Sequence, residues 1–451
     1  MSGTILKVLW KRGRLERGAR CTRAQLEARQ SRAIAQLRAF AVERSPFYQR
    51  FHRGFEQRPW TELPILTKAN MMENFDDFVT DRSIRLADVD AYLEQGDASR
   101  LFRGKYEVFA TSGSTGRRGV FLFSPSEWLD ALTGSSRPSG WMGMKPKLFR
   151  VTRCAYLLST FPWHMSARLV KTMRSRWLPA LVMDAAEPAD LMIERLNQWQ
   201  PEIISGYPSV VRMLADAQLA GRLRIAPRYV SVGAEVFTAE DRRRVKEAWG
   251  ATTHDMYGAT ECLPIAAECA FGRKHLMEDL AAIEIVDDDG RPVPDGELGS
   301  RVLLTVFNRW TQPLIRYELS DMVRPAQTQC ECGRPFRVIE EIEGRQQHVL
   351  YFGAVSVHPI VFHRILETLP AAGWLVIQEP EELRVCLQEP RPEYPLERLE
   401  EKVRRALLDS GVQPPPPIRV ERVTSLQRGA TGKAELVLST KSPVAACDAR
   451  R

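Results

Sequence analysis

The chain has 451 residues, enough for two or three domains, and its 44% hydrophobic content is that of an ordinary globular protein. Its net charge is +8 at pH 7, and no apolar run approaches the ~20 residues of a membrane span. Eight cysteines in a chain this long, with no apolar leader of the signal-peptide kind, argue against a disulfide framework, so the expected location is cytoplasmic.

The charge is unevenly spread. Residues 1–50 hold twelve Lys/Arg against three Asp/Glu, a local +9 that leaves the remainder nearly neutral. A basic N-terminus can contact nucleic acid or an anionic membrane, but no nucleic-acid motif accompanies it, so we read a solvated helix face and expect no nucleic-acid partner. Leu26, Ile34, Leu37, Phe40 and Ala41 recur at helical spacing and predict one or two helices up to residue 45. Ser45 and Pro46 end the run. Pro64, Leu66 and Thr67 introduce a short helix through Asn74.

The stretch from Ala110 to Gly119 comes next. Tyr106, Val108 and Phe109 precede it and Val120 to Phe123 follow, so it reads strand, loop, strand. Thr111, Ser112, Gly113, Ser114, Thr115 and Gly116 supply glycines and hydroxyls, and Arg117 and Arg118 add charge at the rim. Backbone N–H groups turned inward by such glycines form a nest for phosphate oxygens. By itself a run of this composition marks only a loop. A helix is predicted from Ser126, as N-cap, to Thr133. An aromatic-rich stretch follows, with Trp141, Phe149, Tyr156, Phe161 and Trp163. His164 within it is read as a core residue rather than as a group that orients a carboxylate.

From Leu181 strands and helices alternate. Strands at 181–183, 203–204 and 229–232 are separated by helices at 189–199, 209–220 and 238–249. This predicts a parallel α/β sheet, with ligands at the C-terminal strand ends, where Gly233, Ala234, Glu235 and Tyr257 to Glu261 fall. Residues 283–321 read as antiparallel strands with Asp289–Gly290 as a tight hairpin turn. Beyond Gly344 and Arg345 lies a compact α+β segment. It has strands at 349–352, 375–378 and 383–387, helices at 359–369 and 396–408, and a stiff Pro414–Pro417 connector before a strand from Ile418. Gly429, Thr431, Gly432 and Lys433 then form a loop, and the tail after Lys441 is expected to be disordered.

Cys269, His275, Cys330 and Cys332 form a separate set. Three thiolates and an imidazole suit a tetrahedral, structural zinc ion without an open coordination position.

Four motifs in order resemble the adenylate-forming enzyme superfamily, nearest its phenylacetate–CoA ligase and coenzyme F390 synthetase-like (CapK-type) branch. They are the Thr111–Gly119 loop, the segment Tyr257, Gly258, Ala259, Thr260, Glu261, the segment Arg316, Tyr317, Asp321 with Gly344 and Arg345, and the Lys433 loop. The resemblance implies a large N-terminal domain over residues 1–345, with parallel α/β sheets and a β-subdomain, and a small mobile α+β domain over 346–451. It implies ATP-dependent activation of a small carboxylic acid as an acyl-adenylate, then transfer to coenzyme A, with an aryl or similar apolar acid as substrate. The loop would hold the β- and γ-phosphates, Thr260 the α-phosphate and Glu261 a Mg²⁺ ion. Tyr257 would stack on adenine, bordered by Gly233, Ala234 and Glu235, with Gly258 and Ala259 beside it. Asp321 would bind ribose and Arg345 the nucleotide, and Lys433 would be catalytic. Gln347 and His348 stand where the family has acidic hinge residues, which leaves an amine acceptor open as an alternative. A non-catalytic, zinc-stapled binding protein is the alternative from another class.

Overall fold

The computed structural model describes residues 3–95, 100–111, 119–144, 150–185, 187–345, 349–353, 355–357, 359–366, 369, 371, 373–388, 395–424, 426 and 436–439. The basic N-terminus forms two helices, α1 (Gly3–Gly18) and α2 (Arg23–Arg44). A capping box starts α2: the Thr22 hydroxyl accepts from the Gln25 N–H, and the Gln25 side chain accepts from the Thr22 N–H. Ser45 and Pro46 end α2 and open α3 (Pro46–Phe51), whose Phe47 and Tyr48 enter the core. Three short helices follow: α4 (Lys68–Glu73), capped by Thr67, α5 (Phe75–Phe78) and α6 (Leu86–Glu94).

β1 (Glu107–Ala110) and β2 (Val120–Phe123) pair antiparallel, with Ala110 opposite Val120 at the mouth of the loop. Helix α7 (Pro125–Trp141) starts earlier and runs further than the sequence pattern predicts. Ser124, not Ser126, is its cap, because only Ser124 has a glutamate three residues on to return the hydrogen bond: Glu127 Oε2 accepts from the Ser124 N–H at 2.6 Å.

The expected alternation then appears, preceded by a strand that the aromatic composition had hidden. In order it runs β3 (Cys154–Leu158), α8 (Met165–Met173), β4 (Ala180–Asp184), α9 (Ala189–Trp199), β5 (Ile203–Gly206), α10 (Pro208–Leu219), β6 (Tyr229–Gly233), α11 (Ala239–Trp249) and β7 (Thr252–Tyr257). β4, β3, β5, β6 and β7 are parallel neighbours. The chain then reverses through β8 (Ala266–Glu268) and β9 (Lys274–Leu276), which extend the same sheet antiparallel. β10 (Ala281–Val286), β11 (Arg301–Val306) and β12 (Tyr317–Leu319) form a second, three-stranded sheet. The tight hairpin expected at Asp289–Gly290 is corrected. Those residues make a turn closed by the Asp287 N–H to Arg291 oxygen bond at 2.9 Å, but β11 begins only at Arg301. β13 (Asp321–Pro325) and β14 (Val338–Arg345) return to the large sheet, whose order among the described residues is β13-β14-β9-β8-β7-β6-β5-β3-β4.

Residues after Val349 build a core of their own. It joins β15 (Leu350–Phe352), β16 (Val355–Val357), α12 (Pro359–Leu366), β17 (Gly373–Gln378), β18 (Leu383–Gln388), α13 (Leu396–Asp409), β19 (Ile418–Val423) and β20 (Val437–Ser439) around Phe362, Val376, Val385, Leu399 and Val403. The sheet order is β19-β18-β17-β20. No helix among the described residues is long and apolar enough to cross a membrane.

Candidate active site

A cleft of about 1690 Å³ opens along the C-terminal ends of β3, β5, β6 and β7. This is where open parallel sheets bind ligands. Two glycines shape its floor. A Cβ on Gly206 would stand 2.7 Å from the Leu157 carbonyl oxygen, and one on Gly233 would stand 2.6 Å from that of Met256. Ala234 follows with φ +70°, a left-handed conformation that an alanine seldom holds away from a functional turn. Glu235 accepts from the Ser209 N–H at 3.0 Å and so ties this turn to the start of α10.

Thr111, Gly233, Ala234, Glu235, Tyr257, Gly258, Ala259, Thr260, Glu261 and Asp321, all singled out in the sequence, line this one cleft. Two hydrogen bonds join motifs far apart in the chain. The Tyr257 hydroxyl donates to Asp321 Oδ2 at 2.8 Å, and the Tyr317 hydroxyl donates to Glu261 Oε1 at 3.0 Å. Glu261 is 4% exposed, and its second oxygen carries no hydrogen bond among the described residues. A buried carboxylate with one oxygen fixed and one open suits a hard cation bound alongside phosphate. Thr111 closes the neck of the phosphate-type loop through its N–H to the Gly119 oxygen, at 2.9 Å.

Ser112, Gly113, Ser114, Thr115, Gly116, Gln347, His348 and Lys433 lie outside the described residues. So does the side chain of Arg345, whose backbone pairs with Asp321. Leu436 and Val437, just past Lys433, line the cleft beside Trp374.

Other placements depart from the sequence reading. Arg316 faces away from the cleft: it is buried, and its Nε and Nη2 reach Glu284 at 3.1 and 3.0 Å. The core placement expected for His164 is corrected. It lines the cleft at the start of α8, with Nδ1 2.8 Å from Ser159 Oγ. Of its apolar neighbours in sequence, Trp163 enters the core beside Phe102 and Val108 while Phe161 stays exposed.

Sequence reasoning passed over two cations. Lys68 lines the cleft and reaches the loop neck, its Cε 3.4 Å from where a Gly119 Cβ would be. Its place at the first residue of a helix after Thr67 was the available signal. Arg309 is buried beside Glu261 and Cys262, and burial pushes its pKa down against the pull of Glu127 and Glu261. No local pattern marks it.

One wall of the cleft is ionic. Arg242 pairs with Glu268, whose Oε2 also accepts from the Asp255 N–H at 2.9 Å, and Lys274 Nζ lies 2.5 Å from Asp255 Oδ2. Burial pushes the Glu268 carboxyl up, opposed by Arg242.

The next residue along each of these strands belongs to the cysteine cluster. Glu268 is followed by Cys269, and Lys274 by His275, so the alternation of side chains across β8 and β9 puts ion pairs on one face and soft ligands on the other. Cys269, His275, Cys330 and Cys332 offer ligand atoms all within 4.8 Å of one another. Cys269 Sγ is 3.6 Å from Cys330 Sγ, and Cys332 Sγ is 3.2 Å from His275 Nε2. These separations match the edges of a zinc tetrahedron with bonds of about 2.0–2.3 Å. His275 Nδ1 lies 3.2 Å from the Phe336 carbonyl, the second contact that fixes a ligating histidine with Nε2 toward the metal. Burial and the neighbouring thiols push Cys330 up to about 11, only partly offset by the Cys332 N–H, whereas Cys332, raised by burial, is drawn below its usual value by Arg334.

Residues 108–303 match the family described as AMP-binding enzyme. The phenylacetate-coenzyme A ligase of Thermus thermophilus is 26% identical over 374 residues, spanning 77% of this chain and 76% of the relative. Protein CapK of Staphylococcus aureus is 23% identical over 265 residues, spanning 58% and 53%. Among solved structures, 2-hydroxyisobutyryl-CoA ligase in its postadenylation state, in complex with 2-HIB-AMP, superposes with a TM-score of 0.72 at 19% identity, covering 94% of this chain and 91% of that one.

Proposed function

We propose that this chain, an AMP-binding protein of the phenylacetate–coenzyme A ligase and CapK kind, is an ATP-dependent, AMP-forming acid–coenzyme A ligase. The observation that carries this reading is the pair of bonds Tyr257–Asp321 and Tyr317–Glu261, which join two motifs far apart in the chain within the cleft that Thr111, at the neck of a third, also lines. The acid attacks the α-phosphate of ATP, the carboxylate oxygen–phosphorus bond forms, and pyrophosphate leaves. The thiol of coenzyme A then displaces AMP.

The chief demand of that chemistry is to hold negative charge as it develops on the phosphates. The loop residues Thr111 to Gly116 receive the β- and γ-phosphates, with Lys68 at the neck. Thr260 faces the α-phosphate. Glu261 would hold Mg²⁺, which supplies charge neutralisation when bound. Tyr257, with Gly258 and Ala259, covers adenine, Gly233, Ala234 and Glu235 border it, Asp321 accepts from the ribose hydroxyls, and Arg345 and Lys433 close on the nucleotide. Cys269, His275, Cys330 and Cys332 would hold a structural zinc ion that pins β8 and β9 behind the cleft wall. We assign the boundary between the two domains near residue 345, supported by the separate core after Val349. An aryl or similar apolar acid fits a cleft with Tyr156, Leu158, Met165 and Tyr207 among its walls. A cytoplasmic location follows from dependence on ATP and coenzyme A. Amide formation and non-catalytic binding are not favoured, because the relatives aligned over most of the chain are named as coenzyme A ligases.

The test is acid-dependent ATP–pyrophosphate exchange over aryl, aliphatic and amino acids, followed by product mass with and without coenzyme A. Exchange with one acid class and a thioester product is expected. A folded, metal-replete protein that binds ATP but exchanges with no acid overturns the reading.

A further inference from the structure

We propose that the outward face of α1 docks on an anionic lipid membrane. The inward face is fully used. Ile5 and Val8 are buried, Lys11 pairs with Asp130 of α7, and Arg12 donates to the Ser136 carbonyl at 3.3 Å. The one acidic residue of the helix, Glu16, also points inward, accepting from Arg137 Nε at 3.0 Å and Trp141 Nε1 at 3.1 Å.

What remains on the solvent side is a single stripe at helical spacing: Leu6, Lys7, Trp10, Arg14 and Arg17. Leu6 is 56% exposed and Trp10 is 59% exposed, the two largest apolar exposures among the described residues of the first hundred. The Arg14 guanidinium lies 5.0 Å from the Trp10 ring centroid. Lys7, Arg14 and Arg17 have no carboxylate partner among the described residues. The adjacent α8 carries no acidic residue and exposes Lys171.

This combination selects the occupant. Large apolar side chains held in water ask for burial, and unneutralised cations beside them ask for anions in the same plane. A phosphate-rich bilayer interface supplies both: tryptophan favours that depth, and basic side chains reach the headgroups around it. A nucleic acid would meet the charge and leave Leu6 in water. The free face is convex and half the helix is committed to α7, so insertion is shallow and binding is reversible and salt-sensitive.

The test uses the full chain and vesicles of phosphatidylcholine, alone or with about one third phosphatidylglycerol, read by co-sedimentation. Binding to the anionic vesicles, weakened by salt, is expected. Leu6→Ser/Trp10→Ser lowers it about tenfold or more, and Lys7→Gln/Arg14→Gln/Arg17→Gln lowers it about hundredfold, with melting temperature and adenylation rate unchanged. Equal affinity for neutral and anionic vesicles overturns the proposal. So does anionic binding that both variants retain, and so does a preference for heparin that survives Leu6→Ser/Trp10→Ser, which would mark the stripe as a site for an acidic macromolecule.

Discussion

Arg309 is 3% exposed, and its three guanidinium nitrogens have no hydrogen-bond partner among the described residues. Its guanidinium carbon lies 3.7 Å from the centroid of the Phe123 ring. Burying a cation without paired acceptors costs several kcal/mol, so a fold keeps one where the charge is used. The use nearest to hand is a fixed positive charge facing Glu127 and Glu261, next to the cation site proposed at Glu261. Arg309→Met should therefore leave the melting temperature unchanged or raised, while pyrophosphate exchange falls about tenfold and needs more Mg²⁺. Exchange that is unaltered across a Mg²⁺ titration would assign Arg309 to packing alone.

His52 makes the opposite kind of prediction, about stability. Both ring nitrogens are buried and unpartnered, and burial, aided by the charge of Arg38, pulls its pKa down to about 4. An unfolded histidine titrates near 6.5, so below that pH the unfolded chain takes up a proton that the native chain refuses. Stability is complete above pH 6.5 and declines as pH falls toward 4, by on the order of 3 kcal/mol from this residue. His254, drawn down to about 4 chiefly by burial, adds to the same decline. His52→Leu should narrow the difference between melting temperatures at pH 7.5 and pH 5; an unchanged difference would show that native His52 takes up its proton as readily as the unfolded chain does.

The sequence pattern reveals elements where a local period exists and hides them where pairing is set at a distance. β4, α9, β5, α10, β6 and α11 alternate apolar strands with amphipathic helices, and they were legible. β3 was not, because Tyr156 and the nearby aromatics masked a five-residue strand. β8 and β9, of three residues each, carry no apolar run of their own, and their place in the sheet is decided by register with β7 and β14. In the same way Tyr257, Glu261 and Asp321 were legible as motif residues, while the bonds that join them follow from the fold.

Two predictions belong at the level of these elements. Gly233→Ala places a methyl against the Met256 carbonyl, so β6 must part from β7, and both melting temperature and ATP affinity should fall. If both hold, the backbone there gives more than a packed sheet allows. The β8–β9 pair carries ion pairs on the cleft face and the cysteine cluster behind it. A chelator, or His275→Ala, should release one zinc per chain by elemental analysis and lower the melting temperature, with weakened ATP binding as β8 loosens. A protein purified without zinc that gains no stability on adding it would leave the cluster as four unrelated side chains.

At the scale of the whole chain, two cores meet one cleft. Glu261, Asp321 and the loop neck come from the first, and Gly373, Trp374, Leu436 and Val437 come from the second. Lys433 stands three residues before Leu436 in sequence, so in the proposed mechanism its cation comes from the chain segment of the smaller core to a site whose other charges belong to the larger one. In that mechanism it acts only when the two halves close on a nucleotide. Lys433→Ala should therefore leave the melting temperature unchanged. Exchange should fall about 10²–10³-fold, the range for removing one electrostatic contact to a developing charge. Transfer of a pre-formed acyl-adenylate to coenzyme A should persist, because no charge then builds on the α-phosphate from an attacking carboxylate. Equal loss in both half-reactions would place Lys433 in nucleotide binding rather than in the first step. Full exchange in the variant would remove it from the chemistry and leave the larger core to adenylate alone.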